Sequence, residues 1–281
     1  MIDVKSLSFK RLFGSRSLYV LVGTVLVVFS VFLAAAAPLL TRRSPTEMSP
    51  PDRLQPPSRE FPLGTDEYGR DVASRIVYGM RNSLQVAALV VCATSLVGLL
   101  IGLVAGFYPK VDLVISRVLD AMMSFPEIII AISLAAVWGA GKFNIILSMS
   151  FAYFSRMARV VRGSTIAVKE IEYVESARAA GATDPYVLFR YILPNILSPI
   201  IVQATFVFAS AIIVEATLSF LGVGIKPPEP SLGGLLSDAR NFLPVAPWLV
   251  IFPGITIVIA ALGFNLQGDG LRDLLDPRLR E

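Results

Sequence analysis

Long apolar runs constrain this chain more than any other feature of its sequence. A helix that crosses the hydrocarbon core of a membrane needs about 20 mostly apolar residues. The 281-residue chain is 54% hydrophobic and 16% charged, and it carries several runs of that order. These runs lack the two-residue alternation of a membrane barrel. We therefore expect an all-α integral membrane protein with six transmembrane helices, in the runs 18–40, 83–107, 113–138, 145–161, 199–221 and 248–266.

The distribution of lysine and arginine predicts the orientation of these spans. With the amino terminus in the cytoplasm, the inside segments hold 15 basic residues and the outside segments hold 10. Basic residues are normally more frequent on the cytoplasmic side, so both termini are expected there. The predicted order along the chain is a cytoplasmic segment 1–17, a first span 18–40, an exterior linker 41–82, a five-helix core 83–266 and a cytoplasmic tail 267–281.

The first run also has features of a cleavable secretion signal. Lys10 and Arg11 precede its apolar part, and the four alanines at 34–37 are small enough for a cleavage site. The run 18–40 is longer than the roughly 7–15 residues of a usual signal core. We therefore expect an uncleaved span, and the absence of residues 1–37 from the mature protein would contradict this.

The exterior linker is predicted to have two parts. Six prolines between residues 44 and 62 favour an extended chain. Asp66 or Asp71 then caps a helix in which Val72, Ile76 and Met80 share one face. We expect this amphipathic helix to lie along the outer membrane surface before the second span begins.

The third run is interrupted by polar residues and by Pro126, which predicts a kink. Asp120, Ser124 and Glu127 are spaced by four and three, so a continuous helix would place them on one face. Arg117, three residues before Asp120, is a candidate to neutralise it.

Polar side chains inside spans are functional candidates because lipid solvates them poorly. Helix–helix hydrogen bonding or snorkelling to the interface is the alternative for each one. We expect Glu215 near the outer rim or gate of a path. The translocation-path candidates are Asp120, Ser124 and Glu127 on the third span and Gln203, Ser210 and Glu215 on the fifth.

Composition excludes several kinds of catalytic site. The chain has no histidine, which excludes His-ligated metals and histidine-activated nucleophiles. Cys92 is the single cysteine and lies in an apolar run. Residues 139–142, Gly-Ala-Gly-Lys, lack the earlier glycine and the following Ser or Thr of a phosphate-binding loop. We expect no metal or cofactor in this chain, and an intramembrane enzyme is a distant alternative.

The 35-residue connection 163–197, on the cytoplasmic side, is longer than a simple turn requires. It is predicted to form a helix 168–180 stopped by Gly181, and a second helix that opens with Asp184 and Pro185. The second helix is expected to end at Leu193 and Pro194. Its apolar face is expected in the groove of a partner protein, with packing under its own bundle or on lipid as the alternative. That face consists of Leu188, Phe189 and Ile192.

The same connection carries a family pattern. The segment Glu-Ser-Ala-Arg-Ala-Ala-Gly at 175–181, followed by Leu193 and Pro194, resembles the EAA signature of permease subunits in bacterial ABC importers. Ser176 stands where the signature has alanine, and Tyr191 where it has isoleucine. Together with three further motifs, this segment resembles the C-type subunit of dipeptide/oligopeptide permeases. Those motifs are LGTD and GRD within 63–71, LSFLG with PP within 218–228, and NLQGDGLRD with DP within 265–277.

The resemblance implies a fold, partners and a location. The implied fold is the type I ABC importer permease fold, in the bacterial inner membrane. The implied partners are a second permease subunit in a heterodimer, two ATPase subunits that bind ATP and Mg, and an exterior substrate-binding protein. Membrane lipid is a further expected partner and nucleic acid is not.

The resemblance also implies a mechanism without enzymatic activity in this chain. The EAA loop, residues 163–197, would dock on an ATPase subunit and couple its closure to the spans. The substrates implied are dipeptides or oligopeptides, and nickel chelates, glutathione or glycosides are the alternatives within the family. The residues expected to couple are Glu175, Ala177, Arg178, Gly181, Leu193 and Pro194.

Overall fold

A computed structural model describes residues 15–41 and 43–275, and helices dominate both ranges. The one isolated β-bridge within them joins Thr65 and Asp71. The predicted cytoplasmic ends at 1–14 and 276–281 lie outside the described residues. The α-helices are α1 Ser15–Ala35, α2 Ala37–Leu40, α3 Val72–Phe107, α4 Pro109–Met123, α5 Glu127–Trp138, α6 Lys142–Lys169, α7 Glu172–Ala179, α8 Asp184–Val187, α9 Leu193–Phe220, α10 Leu232–Ala239 and α11 Trp248–Leu275.

Three helical segments in the described ranges are long and apolar enough to cross a membrane: α3, the segment Asp184–Phe220 that contains α9, and α11. The pair α4 and α5 passes the same test when taken together, as a broken span or a re-entrant loop. The apolar part of α1, Tyr19–Ala35, is shorter. The second half of α6 carries Arg156, Arg159, Arg162 and Lys169. The structure is therefore all-helical and membrane-spanning, while the count of six spans stays a prediction.

The kink predicted at Pro126 is confirmed, and it is a complete break. Helix α4 ends at Met123, α5 begins at Glu127, and the two axes differ by 84°. Proline has no N–H for the helix ladder, and its ring disfavours a helical conformation at the preceding residue, Phe125. The expectation that Asp120, Ser124 and Glu127 share one continuous helical face is therefore wrong.

Residues 43–71 form a folded loop, so the predicted extended linker is wrong. Leu54 donates its backbone N–H to the carbonyl of Asp66 (3.0 Å), and Thr65 donates to the carbonyl of Gln55 (3.0 Å). Phe61, within the loop, is almost fully buried. The prolines occur where no backbone donor is required, which lets the two halves of the loop pair with each other.

A buried ion-pair cluster fixes this loop to the helices. The Asp66 carboxylate accepts from Arg70 Nε (2.6 Å) and from Arg75 on α3. Arg75 Nη2 also lies 3.5 Å from Asp238 on α10. The side chains of Asp66, Arg70 and Arg75 are almost fully buried. The motif at 63–71 therefore joins the loop to α3 and α10, and we call this side of the molecule the linker end.

Helix α3 begins where the capping chemistry predicts. Asp71 accepts a hydrogen bond from the backbone N–H of Ser74 (3.0 Å), so the predicted cap is confirmed at this aspartate. The prediction of a separate helix on the membrane surface is wrong, because α3 runs unbroken for 36 residues. The apolar face that begins this helix packs in the protein core beside Leu232 of α10. That face consists of Val72, Ile76 and Met80.

The core of the bundle is a close seam between α3 and α6. A Cβ on Gly102 would lie 2.6 Å from the carbonyl oxygen of Ala158, so only glycine allows this approach. On the other side, α1 packs along α11, where Thr24 donates to Gln267 (2.9 Å). Helices α9 and α11 meet through stacked Phe208 and Phe264 rings, 4.1 Å apart.

Candidate functional site

The first helix of the EAA loop ends where the sequence predicts, but it begins later than predicted. Helix α6 continues to Lys169, so α7 covers only Glu172–Ala179 and the predicted start at 168 is wrong. Gly181 follows with φ +86°, a conformation that favours glycine. Val174 anchors α7 in the bundle. Glu175, Arg178 and Gly181 are exposed and Ala177 is half-buried, so the signature forms an exposed turn that we call the Gly181 turn.

The second helix of the EAA loop does not end at Leu193 and Pro194. Thr183 precedes the short α8, one residue before the predicted cap at Asp184. A π-helical turn, Leu188–Ile192, then leads directly into α9. Proline lacks an N–H and would clash with the carbonyl four residues earlier, and the wider π turn supplies a register that relieves this. The EAA loop is therefore continuous with α9.

The apolar face of this segment is mostly covered by its own chain. Ile192 is fully buried, and Leu188 packs against the same cluster as Phe107 and Val161. Only Phe189 is exposed, at 66%. The expectation that a partner groove receives all three side chains is wrong, because α3 and α6 supply an apolar surface that receives two of them.

Aromatic side chains that the motif did not indicate surround the Gly181 turn. Tyr191 lies 6.1 Å from Tyr173 and 5.8 Å from Tyr186, measured between ring centroids. Tyr173 and Tyr186 are exposed, as is Phe189. Acidic side chains lie beside them on α7. We call the exposed set the docking surface: Glu172, Tyr173, Glu175, Tyr186 and Phe189.

The third-span candidates pair with a row of arginines on α6. Arg156 Nε lies 2.8 Å from Glu127 Oε1, and Arg159 pairs with Asp120. The partner of Asp120 is therefore Arg159, and the expectation that Arg117 neutralises it is wrong. Ser124 donates its hydroxyl to the Asp120 carbonyl (2.9 Å), within the last turn of α4.

A third arginine, Arg162, pairs with Asp112 at the start of α4. The three arginines are spaced by three along α6, and we call them the arginine ladder. A cavity of about 260 Å³ lies between α4 and α6, lined by Ser116, Leu119, Asp120, Arg159 and Arg162. The regular spacing was visible in the sequence, but the partners depend on how α4 lies on α6.

The fifth-span candidates occupy a different part of the structure. Glu215 is fully buried and accepts hydrogen bonds from Ser83 of α3 (2.5 Å) and Ser219 (2.7 Å). Ser210 is half-buried. Gln203 has a buried Nε2 without a hydrogen-bond partner in the described part of the chain. The Glu215 carboxylate thus joins α3 to α9 inside the chain, and the described hydrogen bonds and ion pairs do not join these three residues to Asp120 or Glu127.

The chain is similar in sequence to known transport components. A sequence model of the family described as binding-protein-dependent transport system inner membrane component matches residues 98–281. The dipeptide transport system permease protein DppC of Alkalihalophilus pseudofirmus is 43% identical over 274 residues, covering 97% of this chain and 90% of that protein. The glutathione transport system permease protein GsiD of Pectobacterium atrosepticum is 42% identical over 231 residues, with coverages of 82% and 77%.

Solved structures share the fold. An inward-facing conformation of the MetNI methionine ABC transporter aligns with a TM-score of 0.59 at 19% identity, covering 72% of this chain and 96% of that one. An amino acid ABC transporter with histidines aligns with a TM-score of 0.53 at 16% identity, with coverages of 73% and 93%. At these identities the likeness establishes the fold.

Proposed function

We propose, from the premise that this chain belongs to the family of binding-protein-dependent transport system inner membrane components, that it forms a membrane path for dipeptides and oligopeptides. The chain is a multi-pass permease subunit of an ABC importer with the type I fold. It is a transport subunit and not itself an enzyme. The proposal concerns its substrate, its partners, its orientation and the residues that couple it to ATP hydrolysis.

Peptides are the substrate class that the relatives favour. The DppC proteins of Alkalihalophilus pseudofirmus and Pseudomonas aeruginosa, which are named for dipeptide and di/tripeptide transport, match over 97% and 92% of this chain. A glutathione permease matches a smaller share. Glutathione is itself a tripeptide, so it is the second candidate. Nickel chelates and glycosides are the remaining alternatives within this kind of permease.

The assembly that we propose contains a second permease subunit, two ATPase subunits and an exterior substrate-binding protein. The ATPase subunits bind ATP and Mg, and hydrolysis takes place there. Both termini and the EAA loop face the cytoplasm, in agreement with the excess of lysine and arginine on that side. The loop 43–71 and α10 then lie on the exterior side, and α10 faces the binding protein.

The observation that carries the proposal is the exposed Gly181 turn, which is continuous with a membrane-spanning helix. Gly181 lies in a left-handed conformation between α7 and α8, with open space around it. We propose that the docking surface, with Ala177 and Gly181, enters a cleft on an ATPase subunit. Leu193 and Pro194 then pass the movement of α8 into α9 through the π-helical turn. The movement is a switch between two arrangements that the ATPase contacts bias.

The experiment is ATP-dependent uptake of labelled dipeptides and oligopeptides by the reconstituted complex, with glutathione and nickel as competitors. We expect peptides to be imported and nickel not to compete. Gly181→Asp and Glu175→Lys should abolish uptake while the protein still inserts in the membrane. Glu47→Lys, the same charge change at an exposed position of the linker end, is the control. Wild-type uptake by either EAA variant would refute the coupling role, and import of nickel alone would refute the substrate class.

A further inference from the structure

Phe107 and Tyr108 lie where α3 ends and α4 is about to begin, and we call this pair of residues the corner. Residues on both sides of the Gly181 turn contact the corner. Arg178, in the last turn of α7, places its guanidinium 4.3 Å from the centroid of the Phe107 ring. Tyr108 donates its phenol hydroxyl to Oδ2 of Asp184, the first residue of α8 (3.0 Å). Phe107 and Tyr108 themselves meet edge to face, 5.0 Å between centroids. The two flanks of the turn therefore hold two adjacent residues of another part of the chain.

The corner is the point where α4 starts. Tyr108 is the residue between α3 and α4, and Pro109 is the first residue of α4. Helix α4 has 15 residues and is therefore about 22 Å long. Its far end is the 84° break before Glu127. A displacement of the corner is thus applied to one end of a rigid helix whose other end is the break.

Helix α4 is tied to α6 by two ion pairs. Asp112 near its start pairs with Arg162, and Asp120 near its end pairs with Arg159. Leu119 is its one buried side chain, while Leu113 and Val114 are exposed. An element held by partly exposed ion pairs shifts more readily than one packed in an apolar core.

The corner contacts are placed where they can act without being needed for folding. Arg178 and Asp184 are exposed, and Tyr108 is 38% exposed. The apolar cluster beneath them contains Phe107 and Val174, which are almost fully buried and do not depend on the hydroxyl of Tyr108 or on the guanidinium. Loss of either polar group should therefore leave the fold in place.

We propose that Tyr108 and Arg178 are positioning residues that carry the movement of the EAA loop into α4, and through α4 to the break at Pro126. This inference rests on the proposed coupling role of the EAA loop. It adds a second route beside the continuous segment from α8 to α9. Because both routes start at the Gly181 turn, α9 and the break move together when the ATPase subunits close.

The first test is the number of ATP molecules hydrolysed per peptide imported by the reconstituted complex. Tyr108→Phe and Asp184→Ala, each of which removes this hydrogen bond, should each raise the ratio several-fold, with assembly and basal hydrolysis unchanged. The double variant should be no worse than the worse single variant, because both remove one contact. Tyr78→Phe removes a hydroxyl near the other end of α3 and should keep the wild-type ratio. A wild-type ratio in both single variants, or effects that multiply in the double variant, would overturn the proposal.

A second measurement does not need a peptide substrate. In a Cys92→Ala background, Phe125→Cys places one thiol at the break. The rate at which a thiol reagent labels it, measured with and without ATP, reports on the conformation of the break. We expect ATP to change this rate several-fold, and Tyr108→Phe or Arg178→Gln to abolish the change, while Arg178→Lys retains part of it. An unaltered response to ATP in these variants would contradict the corner route. Failure of the proposed substrate would appear instead as wild-type complex that responds to ATP and imports no peptide.

Discussion

Arg162 binds Asp112 through two guanidinium nitrogens, Nε to Oδ1 and Nη2 to Oδ2, the latter at 2.7 Å. The planar guanidinium matches the two carboxylate oxygens, so this pair fixes direction as well as distance. It joins the second half of α6 to the first turn of α4. Since α4 and α5 meet at the 84° break, the arginine ladder positions α4 and the start of α5 against α6.

Reversing one charge of this pair should impair transport, and reversing both should restore it. Arg162→Asp places two carboxylates together at a half-buried site, and we expect uptake to fall about tenfold. Adding Asp112→Arg should recover most of the loss, because the two positions again carry opposite charges, now exchanged between α4 and α6. ATP-dependent uptake by the reconstituted complex is the measurement. Glu60→Arg, at an exposed ion pair of the linker end, should change uptake little. A double variant as poor as the single variant would argue against the pair.

The seam between α3 and α6 should tolerate no side chain at its glycines. Gly102→Leu would drive a Cβ to within 2.6 Å of both the Ala158 carbonyl oxygen and the Val161 side chain. Overpacking of this kind costs about 1–3 kcal/mol, and more where backbone must move. Thermal unfolding of the purified complex should show a clear loss of stability. Gly163→Ala, on the same helix α6 but facing away from the seam into open space, is the control and should be neutral or stabilising.

The hydrogen bonds of Glu215 allow a structural role to be separated from a role in the path. Ser83→Ala removes the donor to a fully buried carboxylate, which should cost about 1–3 kcal/mol of stability. Ser95→Ala, on the same helix, removes a buried hydroxyl that has no hydrogen-bond partner in the described structure and should cost less. Thermal unfolding of both variants measures which substitution costs more stability. Impaired uptake at unchanged stability in Ser83→Ala would instead favour a role in the path.

Local chemistry predicted several features of the fold correctly. The carboxylate of Asp71 caps α3 through a residue three positions later, and Gly181 ends a helix through its own backbone freedom. The break at Pro126 follows from a missing N–H and a ring clash with the preceding turn. Each of these effects acts within a few residues, so the sequence alone contains what is needed.

The features that sequence reasoning missed depend on distant parts of the chain. Arg159 pairs with Asp120 because α6 lies against α4, whereas Arg117 is nearer in sequence. Ile192 is buried because α3 and α6 offer an apolar surface beneath the EAA loop. The helix continues through Pro194 because the chain adopts a π turn before it, which no propensity rule for proline indicates. Tertiary contacts decide each of these outcomes. The periodicity of a helix shows which of its faces is apolar, but it does not show which other helix packs against that face.

A glutamate in the loop 43–71 should make the stability of the linker end depend on pH. Burial raises the pKa of Glu67 above its ordinary value of 4.5, with weaker opposing effects that include Arg70. The folded state therefore binds this proton more tightly than the unfolded state does. The stabilisation from that proton is fully present below the unfolded value of about 4.5 and is lost as pH rises through the raised pKa.

Glu67→Gln should remove this dependence, because the amide resembles the protonated acid and does not titrate. We expect the difference in Tm between variant and wild type to be small at low pH and to grow in favour of the variant as pH rises. The measurement is thermal unfolding of the purified complex at a series of pH values. Glu47→Gln, at an exposed position of the same loop, is the matched control for the loss of one carboxylate. A Tm difference for Glu67→Gln that does not change with pH would mean that ionising this carboxylate costs the folded loop nothing, and that the contact of Arg70 with Glu67 at 3.4 Å balances its burial.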